Sequence, residues 1–587
     1  MGTSHSGLDA CSCTRKYVPT FSNAVKKTLY YQKKVFYNFD GSVVVEPIVG
    51  QFQIARDYIK LQDAFPQIHD HIEGLYKGIR NLLLRTDDQI SLLLNYAYQK
   101  NLRARTIGTG ASWSDIIKTR DILIDTTKLN VVITKTPIPC RNNPEYVEVE
   151  VQAGMIVAEF CAELEHRFGL ALPILGNYAG QTIGGLISTS SHGSSFHAQT
   201  MSNYVSQIKL ISSRGIKLCI RRSVNHRPSH SLEAVKATIV NMSQSYNPCH
   251  HFIDIENDEL FNSVAVAIGC YGAIYSVSFL CEKIYNIREI VSSSVAYYDR
   301  SEKRVLLPQD VQHGLKNENG DSEFFSFFVD PYISQSVNIN ITYIKGSRVA
   351  YNSQKNKESC NCYLCWITCG NICEKQGLSS TFHAMQTDIS AALLHSFSQL
   401  NCSSNLSYPV RISMYGFQHS QPRVDVWYKV LQITKGNIRV RTAEWAIPLQ
   451  YLENALFDVI SQTNLFAEMY GFTSLLPIFV RLIKSDTLYL SPAYCITAKD
   501  ERVSHFAFIE VPFLPGSFGI DSFHSKIEDL LLQKYGARPH WSKTNFLNAE
   551  NLRIIYPHWR LWQTVQSFIN IDGTFNSQFT DRCGLSV

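Results

Sequence analysis

The chain has 587 residues, 45% of them hydrophobic and 18% charged, with a net charge of +5. That length is too great for one core and calls for two or three domains. The charge is small and spread along the chain, without long Lys/Arg blocks, so nucleic-acid binding is not expected. There is no charged-then-apolar leader, and the 16 Cys are read as reduced thiols in a cytosol-facing compartment.

The N-terminus reads Met-Gly-Thr-Ser-His-Ser, which fits the myristoylation pattern with Gly2 as acceptor and Ser6 behind it. Cys11 and Cys13 follow, then Arg15 and Lys16. One acyl chain holds a membrane only marginally, so palmitoyl groups on those Cys would supply the second anchor. The alternatives are peripheral membrane contact on the cytoplasmic face, or a tail that matches a short pattern by chance. Residues 1–74 otherwise form an extension without a motif.

From Thr86 the pattern becomes regular. Thr86 with Gln89 makes a capping box, and Asp87 and Asp88 suit the first turn of a helix. Ile90, Leu93, Leu94 and Ala97 share one face of that helix, which is expected to end near Lys100. Strands follow at 103–107, 122–125 and 146–151; in the last, Val147, Val149 and Val151 alternate with Glu148 and Glu150. Residues 155–168 read as a helix closed by Gly169. The uncharged run 263–281 is broken by Gly269 and Gly272, so it is read as two buried strands and a turn rather than a membrane span. Beyond residue 285 short strands and polar stretches dominate, with a helix at 527–535 ended by Gly536. The mixture is α+β.

Two segments have the composition of phosphate-holding loops. The first runs Gly108-Thr109-Gly110-Ala111-Ser112-Trp113-Ser114. The second, from Gly176 to Ser195, carries Gly180, Thr182, Gly184, Gly185, Ser188, His192 and Gly193. Glycine lets the backbone approach a pyrophosphate and turn its N–H groups inward, and hydroxyls add neutral donors. Two such loops separated by a strand and a helix are far more specific than one.

Together with three later segments, these loops resemble the aldonolactone oxidoreductases of the vanillyl-alcohol-oxidase flavoprotein fold, especially the gulonolactone oxidases. The later segments are Ile268-Gly269-Cys-Tyr-Gly272-Ala-Ile274, Arg538-Pro-His540-Trp-Ser-Lys543, and Asp572-Gly573-Thr-Phe575-Asn576. The resemblance implies a two-subdomain FAD-binding domain of the PCMH type over 75–285, a cap domain over 286–540, and a C-terminal segment over 541–587 that returns to the flavin. It implies FAD as cofactor, a sugar lactone or polyol as substrate, and oxygen or a cytochrome as electron acceptor, in a step of the ascorbate type. It places His540 beside the flavin, Lys543 at the flavin's anionic edge and Arg481 at the substrate. His192 is either a donor on the phosphate side or a packed loop residue.

Two departures matter. Many relatives carry a covalently linking His where Ala111 stands, so the FAD here is expected to be held non-covalently. The family's cap strand carries Glu-x-Arg, and here Phe479 takes the place of that Glu while Arg481 remains. The rival to an enzyme is therefore a catalytically degenerate member that keeps the fold as an FAD-binding scaffold. The cluster Cys360, Cys362, Cys365, Cys369 and Cys373 lacks the distant second pair usual for zinc, so no metal is expected there.

Overall fold

A computed structural model describes the chain from residue 31 onward, apart from 61–82, 353–409, 415–421, 432–439 and several shorter stretches. Gly2, Cys11, Cys13 and the Cys360–Cys373 cluster lie outside the described residues. Helices and sheets are mixed throughout, as α+β requires.

Among the described residues the first lobe holds two main sheets and two short two-stranded ones. In the smaller main sheet, strands Gly50–Gln53 and Ala104–Ile107 both run parallel to Ile122–Asp125. This sheet reaches back to Gly50, well before the expected boundary at 75. The physical reason is the apolar pair Phe52 and Ile54, which joins the same core as the helix Thr86–Gln99. The cap of that helix is Arg85, one residue before Thr86: Asp88 accepts from the Arg85 N–H at 2.8 Å, while the Gln89 side chain turns away to accept from the Ala55 N–H. Lys217 is buried between Asp87 and Asp88 and ties the helix to the larger sheet.

The larger sheet runs Ile253–Glu256, Lys217–Arg221, Val205–Ile211, Ala273–Lys283, Val147–Gln152 and Ile138–Pro139. The run 263–281 is not two strands. It begins as the end of the helix Asp258–Val264, passes through tight backbone at Ile268 and Gly269, and becomes the strand Ala273–Lys283. Asn257 caps that helix through its side chain, a local signal that outweighs the apolar run behind it. The expected helix at 155–168 is Val157–Glu163, widening at Leu164–Phe168 before Gly169 ends it at φ 64°.

The chain crosses to the cap at Ile284, between strands Ala273–Lys283 and Tyr285–Asp299. The cap is one antiparallel sheet of nine strands. Helices Leu452–Tyr470 and Ile520–Tyr535 cover its outer face, placing Leu456, Val459, Ile460, Phe523, Ile527 and Leu531 against Trp445, Val480, Leu482, Ile509 and Val511. Side chains alternate along a strand, so Glu444, Arg481 and Glu510 must point to the opposite face, toward the first lobe. The C-terminal segment then returns to the first lobe: the Ala104 N–H donates to Thr574 O at 2.7 Å, Arg214 pairs with Asp572, and Phe575 enters the core around the Thr86–Gln99 helix.

Glu528 sits buried under the cap sheet, accepting from Phe546 N–H at 2.8 Å and Trp445 Nε1 at 3.3 Å. Burial pushes its carboxyl up to about 7. The folded state therefore holds a proton that the unfolded chain releases near 4.5, so this group's contribution is full below that pH and is lost as pH rises toward about 7. Its share of the loss is about 3 kcal/mol. Chemical denaturation of the wild type and Glu528→Gln at pH 5 and pH 8 checks this. The variant should lose less stability between the two, and equal losses would contradict the assignment.

Candidate active site

Three of the expected loops line one cleft, which encloses about 890 Å³ free of protein atoms and partly open to solvent. Gly108, Thr109, Gly110, Ala111 and Ser112 come from the first loop, Thr182, Gly184, Gly185 and Ser188 from the second, and Gly272 and Ile274 from the third. Four other expected residues support the cleft without lining it. Gly180 O accepts from Thr109 Oγ1 at 2.7 Å, Trp113 and Ser114 bond to the C-terminal segment, and Gly193 packs against Ile174 and Leu175.

The cleft is suited to a bound pyrophosphate. Among the described residues, no protein acceptor takes the backbone N–H groups of Thr109 to Ser112. Among the described residues, no Asp or Glu lines the cleft. At Gly108 a Cβ would lie 2.1 Å from Thr182 Oγ1, so only glycine lets the first two loops meet. At Gly272, φ is +156° and a Cβ would lie 2.3 Å from Ile211 O.

Sequence reasoning missed Arg105. Its buried guanidinium donates to Ile116 O at 2.9 Å, Ile268 O at 2.8 Å, Gly269 O at 2.7 Å and Phe575 O at 3.2 Å. One side chain thus fixes the third loop, the first loop's exit and the C-terminal segment. The available signal was an Arg on the strand that leads directly into the first glycine loop.

A charged cluster from the cap and C-terminal segment stands next to the cleft. Arg481 Nη2 contacts both Glu444 Oε1 and Glu510 Oε2, the latter at 3.1 Å. Lys543 Nζ donates to Glu510 Oε1 at 2.6 Å and lies 4.3 Å from the centre of the Trp113 ring. Its neighbour Ser542 lines the cleft, and Ser542 O accepts from the Trp113 N–H at 2.7 Å. Arg481, His540 and Lys543, proposed from separate motifs, are thereby brought together. Glu444 and Glu510 were missed; each was legible as a lone acid in an apolar strand, Ala-Glu444-Trp and Ile-Glu510-Val.

Burial raises the Glu444 carboxyl, but the Arg481 guanidinium beside it outweighs this and holds it well below the usual carboxylate range. Burial, then Arg481, lowers His192, and burial also takes His540 well below its ordinary value. Both imidazoles are therefore neutral near pH 7. His540 Nδ1 accepts from the Ser542 N–H at 3.2 Å, which leaves its proton on Nε2. His192 Nδ1 donates to Gly193 O at 2.9 Å, so its Nε2 is an acceptor, 3.5 Å from Glu444 Oε1. His192 thus belongs to this cluster and does not line the phosphate end of the cleft. Its Nε2 and Glu444 Oε2 are buried without partners among the described residues. His192, Glu444 and His540 bring ligand atoms within 4.8 Å of one another, but Arg481 already holds Glu444, so a metal ion would meet a fixed positive charge.

Phe479 stacks on Phe328 at 4.4 Å within a small apolar cluster. It faces the same side as Arg481, two residues on, and contributes packing where a carboxylate was expected.

Comparison with known proteins gives the following. The D-arabinono-1,4-lactone oxidase family profile matches residues 300–583, and an FAD binding domain profile matches residues 82–218. An L-gulonolactone oxidase of Bos taurus is 22% identical, covering 84% of this chain and 92% of its own length. An L-gulono-1,4-lactone dehydrogenase of Mycobacterium tuberculosis is 21% identical, covering 85% and 94%. A D-arabinono-1,4-lactone oxidase of Eremothecium gossypii reaches 34% identity, but over only 24% of this chain and 26% of its own. Among solved structures, cholesterol oxidase from B. sterolicum matches with a TM-score of 0.63 at 13% identity, covering 96% of this chain and 98% of that one, a likeness of fold alone.

The contact between the first two loops gives a direct test. Gly108→Val should force them apart and weaken flavin binding about 10- to 100-fold, the scale of 1–3 kcal/mol of overpacking. The ratio of visible to ultraviolet absorbance of the purified variant measures this; full flavin occupancy would contradict the placement.

Proposed function

Because this chain belongs to the aldonolactone oxidoreductases of the vanillyl-alcohol-oxidase flavoprotein fold, we propose that it uses FAD to oxidise a hydroxyl of a sugar lactone, on the pattern of L-gulono-1,4-lactone. The observation that carries this reading is the junction itself: a glycine-lined cleft with unpaired amides, opening beside a buried Arg481–Glu444–Glu510–Lys543 cluster. When bound, FAD would supply a hydride acceptor whose electrons could pass on to oxygen or another acceptor.

The chain's own residues bind and orient. The N–H groups of Thr109 to Ser112 hold the anionic part of the cofactor. Lys543, fixed between Glu510 and the Trp113 ring, places a cation where negative charge grows during reduction. Arg481 directs its donors at the substrate's oxygen atoms, and Glu444 keeps that guanidinium in place. His540 presents an Nε2–H and acts as a hydrogen-bond donor, because its Nδ1 is engaged by Ser542. Ala111 lines the cleft with a methyl group and offers no atom for a covalent link to the flavin. The degenerate-scaffold reading rested on the missing Glu at 479; with Glu444 and Glu510 both on Arg481, the site does not lack carboxylates.

The purified protein should be yellow, and its flavin bands should bleach on anaerobic addition of a sugar lactone. Acid precipitation should release the flavin to the supernatant. A colourless protein or an unreactive flavin would overturn the enzyme reading, and flavin retained in the pellet would overturn non-covalent attachment.

The N-terminal pattern at Gly2, with Cys11 and Cys13, supports a second reading, peripheral attachment to a membrane by acyl chains. Among the described residues no helix is long and apolar enough to cross a membrane. Intact-mass measurement of the protein made in eukaryotic cells should show Met1 removed and one myristoyl group on Gly2; an unmodified terminus would end this reading.

A further inference from the structure

We propose that Glu510 is the substrate-recognising carboxylate of this site, accepting hydrogen bonds from the hydroxyls of a polyhydroxylated lactone and selecting for them. The inference rests on the lactone-oxidising reading above and deepens it.

Three observations lead there. First, Phe479, Glu510 and Glu444 form one row across three neighbouring strands: Glu510 is the direct partner of Phe479 on one side and of Glu444 on the other. Paired residues of an antiparallel sheet project from the same face, with Cβ atoms about 4.5–5.5 Å apart. A carboxylate at 510 can therefore serve the face on which Phe479 provides only a ring. Second, the two acids of the row are not equivalent. The Glu444 side chain is fully buried, at 0% exposure, whereas Glu510 keeps 13%, matching Lys543 at 13%. Of the two, Glu510 is the acid a ligand can reach.

Third, Glu510 is held at both oxygens. Oε1 accepts from Lys543 Nζ and, at 3.0 Å, from Thr442 Oγ1; Oε2 faces Arg481 Nη2. A carboxylate oxygen has room for two hydrogen bonds, so Oε2 retains a free acceptor position beside a guanidinium that supplies donors. Adjacent donor and acceptor groups suit a pair of neighbouring hydroxyls, each of which can give one hydrogen bond and accept another.

Phe479 explains why the acid stands on the neighbouring strand. It stacks on Phe328 and packs with Tyr332, Val410 and Met414. An acid at 479 would be driven into that apolar cluster, whereas at 510 it meets Arg481, Lys543 and Thr442.

The test uses the flavin-loaded protein and rapid anaerobic mixing with L-gulono-1,4-lactone and with analogues each lacking one ring or side-chain hydroxyl. Glu510→Gln should keep its full flavin content, and its efficiency of flavin reduction by the full lactone should fall about 10- to 100-fold, the scale of a hydrogen bond to a charged group. The loss should appear mainly as a raised half-saturation concentration. It should shrink for the one analogue whose missing hydroxyl is Glu510's partner. Glu510→Asp should recover part of the loss, which a purely structural role would not produce. Equal reduction of Glu510→Gln and wild type, or equal losses on every analogue, would overturn the assignment of Glu510 alone. A wild type that binds flavin but is reduced by no lactone would overturn the functional reading and this assignment with it.

Discussion

Arg481 is the constraint around which the cap is arranged. Its guanidinium is buried in a sheet whose other residues are mostly apolar, and a buried charge without partners would cost several kcal/mol. Neutralising it requires acids on the same face of neighbouring strands. Alternation allows this at few positions, and Glu444 and Glu510 occupy two of them. Glu444 lies beside His192 of the first lobe, and Glu510 in turn fixes Lys543 from the C-terminal segment. One buried cation thus joins three parts of the chain that are far apart in sequence.

The same arrangement couples the cleft to the charged cluster. Trp113 bonds through its backbone to Ser542 and lies beneath the Lys543 ammonium; Ser114 bonds to Trp541. The glycine loop therefore runs on from the cleft to the charged cluster. Arg105 performs a similar service at the other end, holding carbonyl oxygens of the third loop and of Phe575. These are rigid connections made of buried hydrogen bonds, which suits a site that must place a substrate carbon against a flavin with little tolerance.

The sequence made the loops and their order legible because glycine at a close backbone approach has a physical signature. Gly108, Gly184 and Gly272 are positions where a side chain meets a neighbouring atom at close range, and they were found for that reason. His540, Lys543 and Arg481 were indicated by the resemblance of their segments to family motifs. Less was visible where partners come from another strand. Glu510 pairs across the sheet with Phe479, and a single strand read alone shows only the missing acid, not its neighbour. Local signals also misled. The apolar run at 263–281 concealed a helix end capped by Asn257, and the strand Gly50–Gln53 is too short to announce itself without the parallel neighbour it pairs with.

The central claim is that the glycine cleft and the Arg481 cluster are two halves of one site. The most direct measurement is a crystal structure of the flavin-loaded protein soaked anaerobically with L-gulono-1,4-lactone. The account predicts the cofactor between the Gly108–Ser114 loop and the Ile183–Ser188 helix, with its ring system reaching Ser542 and Lys543, and lactone oxygens within hydrogen-bonding distance of Arg481. A flavin ring directed away from Lys543, or a lactone bound out of reach of Arg481, would contradict it.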